Sequence, residues 1–241
     1  MHRKRTYRNG IDAGGLSSFE VTVKETNLFI HAPEKLENIA RELILEHRGY
    51  LESYIEQNPG FAKELRPWPL AGPAPVIIKD MALAGQKAGV GPMAAVAGAI
   101  AEHVGLGLLE HADEVVVENG GDIFLKRCKS VTIGIFAGDS PLSMRMGLRL
   151  DPGACCPIAV CTSSGTVGHS LSMGRADAVC VVSESCSLAD AAATSLGNHV
   201  ASGADIQKAI DLGKRIRGIA GLVVIMGENI GAWGNLELVP L

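Results

Sequence analysis

The chain has 241 residues with a formal net charge of −4, and 47% of its residues are hydrophobic against 20% charged. This is the profile of a globular protein large enough to bury a substantial core. An acidic balance argues against a general nucleic-acid binder, because a phosphate backbone requires a basic protein face. Basic residues cluster only near the start of the chain, from His2 to Arg5 and at Arg8, where we expect a solvated tail.

The sequence has no stretch with the pattern of a targeting or membrane-spanning segment. Residues 9–18 are polar where a secretory signal needs an apolar core, and the apolar segment 90–109 is interrupted by Glu102 and His103. We therefore expect a cytoplasmic protein with no membrane partner. In that compartment the six cysteines, none of which forms a C-x-x-C pair, are expected to be reduced thiols.

The first third of the chain predicts a hairpin followed by a helix. Residues 19–31 contain two apolar runs around a polar turn, and apolar side chains then recur at helical spacing from Pro33 to Gln57. His47 lies on this apolar stripe and is expected to be a histidine of the core or its boundary. Four prolines within residues 66–75 mark the best candidate for a connection between two halves.

The remaining elements alternate between groups of strands and helices. Their predicted bounds are helices at 76–88, 93–110, from Ser187 and at 204–217, and strands at 115–117, 123–126, 131–136, 145–150, 157–161, 177–183, 221–226 and 235–239. Because strands occur in consecutive groups, the pattern favours an α+β fold with mixed or antiparallel sheets over a doubly wound fold.

Two glycine-rich loops are candidates for contact with a ligand. The loop Gly89–Met93 precedes a helix whose free amides suit a phosphate, although taken alone it is better explained as a plain turn between helices. Asn119–Asp122, read N-G-G-D, separates two strands, and a hairpin turn alone accounts for its glycines. We interpret these glycines as allowing close backbone approach to a ligand, with the tight turn as the structural means.

Two further segments carry polar side chains in patterns that suit a binding site. The loop Thr162–Ser170 combines hydroxyl residues, glycines and His169 after an apolar strand. On the next predicted helix Asp190 and Thr194 share one face, as Mg²⁺ ligands would. Taken alone, Ser187-x-x-Asp190 is better explained as a capping box that stabilises the start of this helix.

Together, and in this order, the four segments resemble the ApbE family of flavin transferases, which use Mg²⁺ and FAD to attach FMN to a protein threonine. The run Ala189–Thr194, read A-D-A-A-A-T, is the most specific part of the resemblance. Residues 25–30 and 90–100 are closer to a short branch of that superfamily. The resemblance implies one domain over 1–241 built from two fused T-fold-like halves, with candidate boundaries at 1–70 plus part of the C-terminal region and at 71–241.

The resemblance also assigns roles to single residues. It implies that Asp190 and Thr194 bind Mg²⁺, aided by a backbone carbonyl near Gly91 to Met93, and that Asp190 and His169 are catalytic. The residues that it places at the FAD-like nucleotide are Gly91, Asn119, Gly120, Gly121, Asp122, Thr162, Ser163, Ser164 and Gly165. The partners implied are a small nucleotide-like ligand and a protein substrate.

Two other functions stay open at this point. Residues 169–174 lack the Asp-Pro that follows the histidine in the transferases, which favours a non-catalytic nucleotide-binding module. Members of the short branch are connected with sulfide assimilation and homocysteine formation, and Cys155 and Cys156 are the candidate thiols for such a role. The oligomeric state is open, with a homodimer as one option.

Overall fold

Two antiparallel sheets organise the fold in the computed structural model, which describes residue 8 and residues 14–151, 156–165 and 174–241. The strands are Ser17–Val23 (β1), Thr26–Ala32 (β2), Val115–Asn119 (β3), Asp122–Lys126 (β4), Val131–Gly134 (β5), Met146–Leu150 (β6), Ile158–Ser163 (β7), Ala178–Ser183 (β8), Ile219–Met226 (β9), Asn229–Gly234 (β10) and Glu237–Pro240 (β11). Eight strands form one sheet in the order β1-β2-β3-β4-β7-β8-β9-β10, and three form a second in the order β11-β6-β5.

The helices cover one face of the large sheet and the small sheet covers part of the other. The α-helices are Glu37–Gln57 (α1), Val76–Ala88 (α2), Val96–Leu108 (α3), Cys186–Gly197 (α4) and Ile206–Gly213 (α5), with short 3₁₀ helices at Pro92–Ala95 and Gly203–Asp205. Two hydrophobic clusters fill the spaces between these layers. The α+β fold with antiparallel sheets is therefore confirmed.

Strand β3 illustrates why the central strands are apolar throughout. Val115 and Val117 pack into the cluster beneath the helices, whereas Val116 packs into the cluster beneath the small sheet. Successive side chains of a strand point to opposite faces, so a strand covered on both sides needs an unbroken apolar run. β3 pairs with β2, so the hairpin before the proline-rich segment belongs to the same sheet as the strands after it.

The predicted elements differ from the observed ones mainly at their ends. Helix α1 begins at Glu37 and not at Pro33, and the helix predicted at 204–217 is the 3₁₀ turn followed by α5. Strand β10 was not predicted, because its glycines and exposed side chains give it no buried alternating pattern. Within the described ranges no single helix is long and apolar enough to cross a membrane, and α2 with residues 92–108 passes that test only as a pair bent by 106°.

Candidate functional site

Asp190 lies on α4, but its carboxylate binds the start of α3 and not, as expected, the start of α4. The N-cap of α4 is Ser185, whose hydroxyl accepts a hydrogen bond from the Leu188 amide at 3.3 Å. The capping box predicted from Ser187 and Asp190 is therefore wrong. Instead, Oδ2 of Asp190 accepts a hydrogen bond from the backbone amide of Gly98 at 2.9 Å, within the first turn of α3.

Helices α3 and α4 cap each other. Glu102 on α3 accepts hydrogen bonds through Oε2 from the amide of Ser187 at 3.0 Å and from its hydroxyl at 3.1 Å. Each helix thus places a carboxylate at the N-terminus of the other, where free amides and the helix dipole favour negative charge. Gly98 makes the close packing possible, because a Cβ there would lie 2.8 Å from Cβ of Asp190.

The N-G-G-D segment is a tight hairpin turn that joins β3 to β4 beside the start of α3. Asn119 pairs with Asp122, and the φ angles of Gly120 and Gly121 are 70° and 111°, which disfavour most other residues. The side-chain amide of Asn119 donates to the carbonyl of Ala97 at 3.0 Å. The turn is therefore attached to the same helix terminus that Asp190 caps.

The buried carboxylate of Asp122 lies close enough to Asp190 for their charges to interact. Burial raises the pKa of Asp122 well above its ordinary value, and the charge of Asp190 raises it further. Burial also raises the pKa of Asp190 to about 7. Hydrogen bonds oppose both shifts: Asp122 accepts them from the Cys161 thiol and the Thr162 amide, and Asp190 accepts them from amides of α3.

The T-S-S-G segment follows directly on Cys161, which pairs with Asp122 in the register of β4 and β7. Thr162 and Ser163 end the strand, and the Thr162 side chain is hydrogen-bonded to Cys180. Gly165 is required by packing, because a Cβ there would lie 2.8 Å from the carbonyl carbon of Gly174. Ser164 is partly exposed. His169 lies outside the described residues, so its catalytic role stays a prediction.

Gly91 packs closely against the backbone of Glu64. Its carbonyl accepts a hydrogen bond from the Ala94 amide at 3.2 Å, and a Cβ on it would lie 2.8 Å from the carbonyl carbon of Glu64. The 3₁₀ helix that follows packs against α4, which carries Asp190 and Thr194. Thr194 is partly exposed one helical turn after Asp190.

The cysteines mostly behave as small apolar residues. Cys161, Cys180 and Cys186 are buried, and burial raises the pKa of the latter two thiols to about 11. Cys156 is exposed, and Cys155 lies outside the described residues. The expectation that every cysteine is reduced is wrong for Cys128, which is disulfide-bonded.

Sequence reasoning missed three charged residues around the site. Glu102 was treated only as an interruption of an apolar segment, and Glu118 was not considered as a site residue. Arg8 was expected in a solvated tail, but it is buried and bonded to Glu118 at 2.6 Å. One feature of the sequence points to Glu118, because it is a charged residue that directly follows a run of β-branched valines.

The oxygen donors of Asp190 and Thr194 fit a hard divalent cation whose coordination is completed by a bound ligand. In the part of the chain that the structure describes, no group of three or more His, Cys, Asp or Glu side chains is arranged to hold a metal ion. Mg²⁺ does not need such a cage, since it commonly takes one or two carboxylates together with phosphates and water. Asp190, with its unfavourably buried charge, and the Thr194 hydroxyl are donors of this kind.

Comparisons with known proteins identify the family and the fold of the chain. The model of a family described as AbpE bacteria matches residues 8–231. A UPF0280 protein of Methanococcus aeolicus is 41% identical over 222 residues, which cover 90% of each chain. A mutant form of the flavin transferase ApbE from Vibrio cholerae superposes with a TM-score of 0.58 at 13% identity, covering 90% of this chain and 96% of that one.

A second solved structure, the apo form of the flavinyl transferase ApbE from Pseudomonas stutzeri, gives a TM-score of 0.57 at 13% identity and covers 90% of this chain and 93% of its own. At such low identity these two structures establish the fold alone. The match to the family model spans most of the chain. The protein therefore belongs to the AbpE bacteria family and has the fold of the ApbE flavin transferases.

Proposed function

We propose that this protein binds FAD or a related nucleotide diphosphate together with Mg²⁺, and that it transfers the FMN part to a hydroxyl group of a protein substrate. One observation carries the proposal: the buried carboxylates of Asp122 and Asp190 lie close enough for their charges to interact, and burial raises the pKa of both. Two carboxylates in such a place need either protons or a cation to balance their charge.

A cation bound beside Asp190 would explain why several oxygen donors are gathered there. Asp190 and Thr194 would hold Mg²⁺, and a backbone carbonyl near Gly91 to Met93 would complete the protein's share of the ligands. When bound, Mg²⁺ would neutralise the pyrophosphate and polarise the bond that breaks. The likeness of the fold to flavin transferases supports FAD as the nucleotide to test first.

The chain's own residues would bind the nucleotide and position the reacting atoms. The Gly120–Gly121 turn and the segment Thr162–Gly165 would offer backbone and hydroxyl groups to the nucleotide. In the transfer step the hydroxyl oxygen of the substrate bonds to the FMN phosphorus, and the bond between that phosphorus and the bridging oxygen breaks. AMP leaves, and the hydroxyl proton passes to a base, for which Asp190 and His169 are the candidates.

A thermal-shift panel tests the binding claim. FAD, FMN, ADP and AMP are each added with Mg²⁺ or with EDTA to the wild-type protein and to Asp190→Ala. A ligand at ~100 times its Kd stabilises a protein by about 2.7 kcal/mol, so binding is readily seen. We expect a Mg²⁺-dependent shift with FAD that is absent in Asp190→Ala. The absence of any shift with these ligands would contradict the proposal.

A turnover assay separates transfer from binding alone. Release of AMP from FAD in the presence of an acceptor protein supports the transferase, whereas tight binding without AMP supports a binding module that has lost the reaction. Exposure of Cys156 is the observation that keeps the sulfur-handling alternative in view. Alkylation of Cys156 at the rate of an ordinary thiol would remove that alternative.

A further inference from the structure

Glu118 connects the glycine turn of the site to the N-terminal part of the chain. It lies next to the end of β3 and is 1% exposed. One carboxylate oxygen, Oε1, accepts a hydrogen bond from the backbone amide of Gly121 at 2.9 Å. The other, Oε2, accepts one from Nε of Arg8 at 2.6 Å. A single buried carboxylate therefore holds both the turn and a residue far away in the sequence.

Arg8 is itself held on several sides. It is 7% exposed, and its two terminal nitrogens donate to the carboxylate of Glu20 at 3.0 Å and to the carbonyl of Asn27 at 3.1 Å. Its guanidinium carbon lies 5.4 Å from the centre of the Phe29 ring. These contacts fix the guanidinium against β1 and β2 while it neutralises Glu118 on β3. A guanidinium held in this way loses little conformational entropy when it binds a carboxylate.

We infer that Arg8 is a positioning residue for the candidate site: it fixes Glu118, Glu118 holds the amide of Gly121, and the turn thereby holds Asp122, which closes it by pairing with Asn119. The role of Arg8 in ligand binding rests on the proposed function. The linkage from Arg8 through Glu118 to Gly121 does not depend on that function.

The linkage predicts that Arg8 and Glu118 act as one unit. In Arg8→Gln, the buried carboxylate of Glu118 loses the guanidinium that binds its Oε2, and we expect its side chain to shift from its present position. This shift weakens its hold on the Gly121 amide. Once Glu118 is replaced by Gln, the neutral side chain no longer needs Arg8. We therefore expect Arg8→Gln to have little further effect in the Glu118→Gln background.

Hydrogen exchange at the Gly121 amide, followed by NMR, measures the linkage directly. We expect exchange to be at least about tenfold faster in Arg8→Gln than in the wild type, because opening of the turn exposes this amide. The control is Glu20→Gln, which neutralises the half-exposed carboxylate that binds Arg8 and should leave exchange at Gly121 unchanged. Unchanged exchange in Arg8→Gln, or additive effects of Arg8→Gln and Glu118→Gln, would overturn the inference.

Binding of FAD with Mg²⁺ tests whether the linkage serves the site. We expect Arg8→Gln to weaken binding by about tenfold, since small displacements of a positioned group are costly. Ile210→Val, a core change on α5, gives a comparison with reduced stability and an unaltered turn. Equal loss of affinity in both variants would mean that Arg8 acts only through overall stability. If the wild type binds no FAD, the proposed function fails, and the exchange measurement still decides the linkage.

Discussion

The carboxylate of Asp190 accepts a hydrogen bond from the amide of Gly98 across 2.9 Å, although the two residues are 92 positions apart in the sequence. This contact joins α4 to the first turn of α3. The residue that the family resemblance identifies as a cation ligand is therefore also part of the packing between two helices. Changes at this contact are expected to alter both stability and binding.

Gly98→Ala tests the close approach of α3 and α4. The new Cβ would lie 2.8 Å from Cβ of Asp190, so the helices must separate, and we expect a loss of about 1–3 kcal/mol of stability together with weaker cation-dependent binding. The matched control is Gly49→Ala in α1, where a Cβ meets nothing within 4 Å. That variant should be more stable than wild type by about 0.5–1 kcal/mol, because alanine favours a helix. Urea unfolding of both variants measures the difference, and a destabilised Gly49→Ala would undermine the comparison.

Glu102→Ala tests the second half of the reciprocal capping. Its removal leaves the Ser187 amide at the start of α4 without its acceptor, and we expect a loss of about 1–2 kcal/mol. Glu110→Ala removes an exposed acid just after α3 and should change stability by no more than about 0.5 kcal/mol. Thermal unfolding of both variants provides the measurement. Equal effects at the two positions would mean that the cap contributes nothing.

The two glycines of the hairpin turn have separable roles. Gly121→Ala should lose about 1–2 kcal/mol, because a φ of 111° is unfavourable for alanine. Gly120→Asn should fold normally, since asparagine tolerates a φ near 70° and the added Cβ meets nothing within 4 Å. If Gly120 is small to admit a ligand, the asparagine variant keeps its unfolding temperature and binds FAD more weakly. Undiminished binding would leave the turn as the full explanation of this glycine.

His47 gives the protein a pH-dependent stability away from the site. Burial, followed by the neighbouring His103, lowers the pKa of His47 below its ordinary value of 6.5. The unfolded chain then binds more protons at this residue, so the stability that depends on His47 is fully present above about pH 6.5 and falls as the pH drops towards the lowered pKa. His47→Gln should flatten this fall in unfolding experiments between pH 5 and 7.5. The exposed His111 is the control, and His111→Gln should retain the wild-type dependence.

The sequence was sufficient to predict most local elements and the residues that they carry. Asp190 and Thr194 do lie on one helix, and the N-G-G-D segment is a hairpin turn, as the spacing and the glycines indicated. Tertiary partners could not be predicted, because they depend on contacts between distant segments. The amide that binds Asp190 and the arginine that binds Glu118 lie 92 and 110 positions away, respectively.

The errors at helix ends have a similar origin. Ser187 and Asp190 have the spacing of a capping box, but Ser185 provides the cap and Glu102 from another helix takes the amide of Ser187. Local pattern alone cannot reveal an acceptor that comes from a different helix. Arg8 was misjudged for the same reason, since its burial depends on Glu118 in a strand far along the chain.

Calorimetric titration of FAD tests the central claim, that Asp190 holds a cation required for nucleotide binding. FAD is titrated into the wild type and into Asp190→Asn, each with Mg²⁺ and with EDTA; the asparagine keeps an oxygen for the Gly98 amide. We expect wild-type affinity to fall at least about tenfold in EDTA, a coupling of about 1.4 kcal/mol, and the variant to bind weakly in both conditions. Wild-type binding that does not depend on Mg²⁺, or full Mg²⁺-dependent binding by Asp190→Asn, would contradict the claim.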